Sequence, residues 1–247
     1  AAYHFTWGTF CDWYIELIKT QFYGDNELEK QETRKTAAWI MDQILKILHP
    51  FMPFITENLW GQLSSHRKTD LIMAPWPLYN ENNINDAATA EMTWLITVIS
   101  DIRTARAEMN VPAGAKINML ISGANADTKN ALNNQMDVLK RLARLEKVEI
   151  HEGDAPEGAI SVVVGEATYY LPLSGIIDIE AEQARLNKSL EKLNQEIKSV
   201  SGRLNNKNFV AKAPDHVIVE NKKGLEEAQQ KAEKIIQALQ RLSSING

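Results

Sequence analysis

From the first residues of the chain, apolar side chains recur at steps of three and four. Tyr3, Trp7, Phe10, Tyr14 and Leu17 share one stripe, the spacing that lines one face of an α-helix. Glu27, Glu29 and Glu32 then form an acidic start that suits the positive end of a helix dipole. A second stripe follows at Ala37, Ile40, Ile44, Ile47 or Leu48, and Phe51. Pro50 ends or kinks this helix, because proline lacks the amide donor and clashes with the preceding turn. Pro53 opens a short third helix through Leu59 and Trp60. A loop holding Pro75, Trp76 and Pro77 leads to a long helix from about Asp86 to Met109, with Met92, Leu95, Ile96, Ile99, Ile102 and Met109 as its apolar positions. Four such helices predict a helical bundle over residues 1–112.

The pattern changes at Val111-Pro112-Ala113-Gly114. Lys116 to Ile121 alternates and is rich in branched residues, as a strand should be. Met136, Leu139, Leu142 and Leu145 mark a helix, and strand candidates follow at Lys147–His151, Ala159–Val164 and Ala167–Leu173. Turn chemistry comes from Gly153 to Gly158 and from Gly165. Residues 113–177 thus read as a small β-α-β-β connector, too small for a dinucleotide-binding fold and without its Gly-rich fingerprint.

The segment 178–247 is the most regular. Ile179, Gln183, Leu186, Leu190, Leu193, Ile197, Val200 and Leu204 form a heptad seam broken only by Gln183. After an interruption at Asn205–Asp215, Leu225, Ala228, Ala232, Ile235, Leu239 and Leu242 form a second seam. Pro214 and its Asn-rich surroundings argue against one unbroken helix. Two helices of this kind bury their seams as an antiparallel coiled-coil hairpin with arms of about 35 Å, or between chains as a dimer. The predicted fold is mainly α: a helical bundle, a small α/β connector and a coiled-coil arm.

Charge sharpens this division. The chain carries 27 Lys+Arg against 32 Asp+Glu, which excludes a uniformly basic nucleic-acid binder but not a locally basic one. From Glu180 onward there are nine lysines and three arginines against nine carboxylates, a local net charge of +3. The acidity therefore belongs to the bundle and the connector. With the seam at heptad positions a and d, Arg185, Lys188, Lys192 and Lys198 point away from the partner helix. Arg203, Lys207, Lys212, Lys222 and Lys223 crowd the interhelical end. A solvated coiled-coil surface accounts for such a run, and so does an arm that meets phosphates.

Cys11 is the only cysteine, so neither a disulfide framework nor a Cys-rich zinc site is available. The five histidines are scattered without metal-ligand spacing. These features fit a reducing, cytosolic setting. No apolar run approaches the roughly 20 residues that span a bilayer. The start at Ala1-Ala2, directly inside a helical pattern, suggests either an excised fragment or processing.

Several stretches together resemble the valyl-tRNA synthetase family. Tyr3-His4-Phe5-Thr6-Trp7 and Phe10-Cys11-Asp12-Trp13-Tyr14-Ile15-Glu16 look like the opening helix of its anticodon-binding domain. The stretch His49-Pro50-Phe51-Met52-Pro53-Phe54-Ile55-Thr56-Glu57-Asn58-Leu59-Trp60 is similar to the signature closing the second helix. Trp76-Pro77 and Ile102-Arg103-Thr104-Ala105-Arg106-Ala107-Glu108 match in kind and order. Lys207-Asn208-Phe209-Val210-Ala211-Lys212-Ala213-Pro214, followed by Val217-Ile218-Val219-Glu220, resembles the turn of the family's coiled-coil arm. The first stretches are shared more loosely with isoleucyl-, leucyl- and methionyl-tRNA synthetases. The basic hairpin at the end points to the valine enzyme, since an isoleucine enzyme commonly ends in a Cys-rich zinc module.

The resemblance implies tRNA(Val) as partner, with upstream catalytic and editing domains in the same chain, a monomer, a cytoplasmic location and no membrane. Trp7, Phe10 and Trp13 are candidates for stacking on anticodon-loop bases, although the Tyr3–Tyr14 stripe also reads as core and Trp13 lies off it. Arg103 and Arg106 either snorkel along their helix or address the anticodon stem or loop. Lys188, Lys192, Lys198, Arg203, Lys207, Lys212, Lys222 and Lys223 are the candidate phosphate contacts of the arm. No catalytic residue and no cofactor are expected here. The His-Ile-Gly-His-like and Lys-Met-Ser-Lys-Ser-like motifs of a class I synthetase are absent, so ATP with magnesium belongs to the parent enzyme. A coiled-coil interaction module without RNA binding, and the equivalent module of an isoleucine-type enzyme, are the alternatives.

Overall fold

A computed structural model describes residues 1–64, 66–153, 155–206 and 214–243. The chain is mainly helical with one small mixed sheet, and it packs as two compact units, Ala1–Met92 and Thr93–Gly247.

In the first unit, residues 2–23 are helical in four consecutive stretches, together called α1. The stretch Phe5–Tyr14 is π-helical, so the Ile15 amide donates to the Phe10 carbonyl, five residues back. This wider turn breaks the 3.6-residue stripe read from the sequence. Phe10 and Ile18 are buried, while Tyr3 and Trp7 are exposed. Helix α2 spans Glu27–Leu48 and begins on Asn26, whose side chain accepts from the Leu28 and Glu29 amides. The Asn26 amide in turn donates to the Glu29 carboxylate at 2.8 Å, closing a reciprocal cap.

Helix α3, Pro53–Leu63, starts with proline at its first position, where no amide donor is needed. Its Thr56 hydroxyl donates to the Met52 carbonyl at 2.8 Å, which leaves the His49 Nδ1–H to donate to Thr56 Oγ1, also at 2.8 Å. His49 thus locks the α2–α3 corner, the helix-ending role that suits its place before Pro50. Leu45, Trp60 and Leu71 form a core against which Met41 and Ala74 pack. The Arg67 guanidinium lies 3.4 Å from the centre of the Trp60 ring and pairs with Asp42.

In the second unit, the part of helix α4 (Asp86–Glu108) from Thr93 onward contributes Leu95, Val98, Ile99 and Ile102, all without solvent exposure. Strands β1 (Ile117–Ser122), β2 (Leu145–Ile150), β3 (Ala159–Val164) and β4 (Ala167–Pro172) form a sheet of order β2-β1-β4-β3. Helix α5, Ala126–Ala143, makes the crossover between the parallel strands β1 and β2. β3 and β4 form an antiparallel hairpin whose two-residue loop begins at Gly165, φ +61°, a conformation glycine adopts without strain. The Trp94 indole donates to the buried Tyr169 hydroxyl at 2.9 Å, tying α4 to β4. α5 stops at Arg144 in the left-handed region, φ 54°, so Leu145 opens β2 rather than extending the helix as its apolar spacing had suggested.

Helices α6, Ile179–Asn205, and α7, Asp215–Ser243, pack against each other within the chain. At 27 and 29 residues they are each about 40 Å long. The seam residues expected from the heptads are half-buried or buried, with Leu186, Ala228, Ala232 and Leu242 buried.

Candidate nucleic-acid interface

The arm presents its cations to solvent for the reason the heptads give. A seam that buries a and d leaves the lysines on the outer faces. Lys188, Lys192, Lys198, Arg203, Lys222 and Lys223 are all exposed. At 100° per residue, Lys188, Lys192 and Arg203 fall within about 60° of one another around α6, and Lys198 lies on a different flank. Lys223 faces Glu227 at 3.8 Å, and the Arg203 guanidinium donates to the Ser199 hydroxyl at 3.4 Å. Among the described residues, Lys188, Lys192, Lys198 and Lys222 form no ion pair. Lys231 and Lys234 are exposed on α7 as well. Lys207 and Lys212, with most of the Lys207–Pro214 signature, fall outside the described residues.

On the bundle side the candidates separate. Trp7 is 61% exposed and Trp13 half-buried. Phe10 is 3% exposed and stacks on Tyr14 with ring centres 5.5 Å apart, so its faces are not offered to a nucleobase. Arg103 is exposed, and its Nε donates to the Leu142 carbonyl at the end of α5.

Arg106 corrects the sequence-based expectation most clearly. Its side chain is buried, and its guanidinium donates to the carbonyls of Ala115 at 2.7 Å, Pro112 at 3.3 Å and Arg144 at 3.4 Å. The Pro112 and Arg144 carbonyls also accept backbone amides, from Ala115 at 2.9 Å and from Ile117 at 3.2 Å, and the five-donor guanidinium uses the remaining acceptor capacity of these loop and helix-end groups. Burial, and after it the neighbouring Arg144 charge, lowers the Arg106 pKa from its ordinary value. Arg106 is therefore a brace between α4, the β1 approach and the end of α5, and not a side chain presented to a partner.

Among the described residues, no group of three or more His, Cys, Asp and Glu side chains is placed to hold a metal ion. Likewise, no helix is long and apolar enough to cross a membrane.

The profile of the anticodon-binding domain of tRNA ligase matches residues 1–121, and that of the valyl tRNA synthetase tRNA binding arm matches residues 178–243. The pair of matches defines the class: the tRNA-recognition elements of an aminoacyl-tRNA synthetase. Curated relatives named valine–tRNA ligase share 46% identity in Caulobacter vibrioides over 99% of this chain, and 43% in Cereibacter sphaeroides over 99% of it. The Rhizobium meliloti protein of the same name is 43% identical over 98% of the chain. The chain belongs to the valyl-tRNA synthetase family. It spans about a quarter of the length of these relatives, 27%, 24% and 26% respectively, and matches their C-terminal part.

Proposed function

We propose that this chain is the tRNA-recognition part of a valine–tRNA ligase, with tRNA(Val) as its partner. In this reading residues 1–112 contact the anticodon region, 113–177 connect, and 178–247 reach the outer corner of the tRNA. The parent enzyme attaches valine to tRNA with ATP and magnesium on upstream catalytic and editing domains, in the cytoplasm and as a monomer. Two contacts on one rigid RNA would fix its register, so that the acceptor end meets a distant catalytic centre in a reactive position. The observation that carries the reading is the joint match to an anticodon-binding domain and a tRNA-binding arm, over a hairpin whose outer faces carry exposed lysines.

The proposed contacts are Lys188, Lys192, Lys198, Arg203, Lys222 and Lys223 on the described arm, with Lys207 and Lys212 at its turn. On the bundle side they are Trp7, Trp13 and Arg103. Dimerisation through the coiled coil is not favoured, because α6 and α7 already bury their seams on each other within one chain.

Fluorescence-anisotropy titration of the chain with tRNA(Val), beside an anticodon-swapped tRNA, tests the reading. Weaker binding to the swapped tRNA is expected. Absence of binding even at low salt contradicts the proposal.

A further inference from the structure

The arm is held at its root from two sides by the same helix end. α4 terminates at Glu108, and Asn110 turns the chain in the left-handed region, φ 50°. On one side, Arg241 near the end of α7 reaches back to Glu108, Nη1 to Oε2 2.6 Å, across 133 residues of sequence. Its neighbour Leu242 has no solvent exposure, and Ala238 is 2% exposed. On the other side, Glu182 in the first turn of α6 is 6% exposed, unusual for a carboxylate. It is held by Arg185, whose Nε donates at 2.8 Å, and by the Asn110 amide at 3.5 Å. That pairing raises the Arg185 pKa above its ordinary value. One helix of the hairpin is thus tied to Glu108 and the other to Asn110, two residues apart.

We infer that Glu108, Asn110, Glu182 and Arg241 are positioning residues that set the direction of the arm before any partner binds. A single, partly exposed pair such as Glu108–Arg241 contributes little to global stability. At the root of a lever about 40 Å long, however, a 10° swing moves the tip by about 7 Å, which is enough to carry a lysine off its phosphate. The consequence for RNA rests on the proposed tRNA role of the arm. The geometry of the clasp does not.

The test uses the whole chain with Cys11→Ser and spin labels on cysteines introduced at Asn130 in α5 and Asn205 at the end of α6. Interspin distance distributions are compared for the parent, Glu108→Lys, Arg241→Glu and the double exchange. A narrow distribution that broadens in each single variant and narrows again in the exchange is expected, with unchanged far-ultraviolet circular dichroism. Single variants as narrow as the parent overturn the inference. Asn110→Ala, which breaks the other tie, should broaden the distribution without disturbing Glu108, and an unchanged width there removes Asn110 and Glu182 from the set.

Affinity for tRNA(Val) is read in parallel. If the arm holds the competent direction a fifth of the time, binding weakens about fivefold, with the salt slope unchanged because no phosphate contact is lost. Broadened distances with unaltered affinity would leave the clasp intact and refute the arm's role in tRNA binding instead.

Discussion

At the scale of single residues, Arg106 illustrates how one side chain can be read two ways. Its guanidinium serves three carbonyls, so Arg106→Ala should destabilise the second unit by about 2–4 kcal/mol. Urea unfolding monitored by circular dichroism checks this, and unaltered stability with weakened tRNA binding would return Arg106 to the RNA surface. The sequence could not separate these uses. Arg103 and Arg106 both border the apolar face of α4, and the difference lies in which carbonyls the loop after Pro112 and the end of α5 bring near. For Phe10 the core reading of its stripe is the one the structure bears out, since the ring is buried and stacks on Tyr14, four residues on. The tie between Glu182 and Asn110 is not legible in the sequence, because the two lie 72 residues apart.

At the scale of elements, periodicity was informative wherever the helix was regular and buried on one side. The seams of α6 and α7 place their exposed lysines without further help. It misled where backbone geometry departed from the ideal. The π-helical stretch in α1 turns Tyr3 and Trp7 outward, and Arg144 ends α5 in a conformation normally signalled by glycine. Both arm helices retain an interior glycine, Gly202 and Gly224, at which an added Cβ would meet nothing within 4 Å. Gly202→Ala and Gly224→Ala should therefore each stabilise the arm by about 0.5–1 kcal/mol. Hydrogen exchange of the α6 and α7 amides reports this directly. Loss of protection in either variant would contradict the open space found around both glycines.

At the scale of the whole molecule, charge is partitioned rather than abundant. The chain is acidic overall, 27 cations against 32 carboxylates, yet the arm carries a local excess of +3. Under the proposed tRNA role, such a distribution would confine phosphate contacts to one surface, where binding is driven by counterion release and is therefore salt-dependent. The most direct measurement is the dependence of tRNA(Val) affinity on salt concentration for the parent chain and for a variant with Lys188, Lys192, Lys198 and Lys222 all changed to Gln. A steep log–log slope is expected for the parent, reduced by about one for each phosphate contact removed, with the preference over an anticodon-swapped tRNA retained. Parallel slopes for the two proteins would contradict it, because the lysines of the arm would then be surface charge and nothing more.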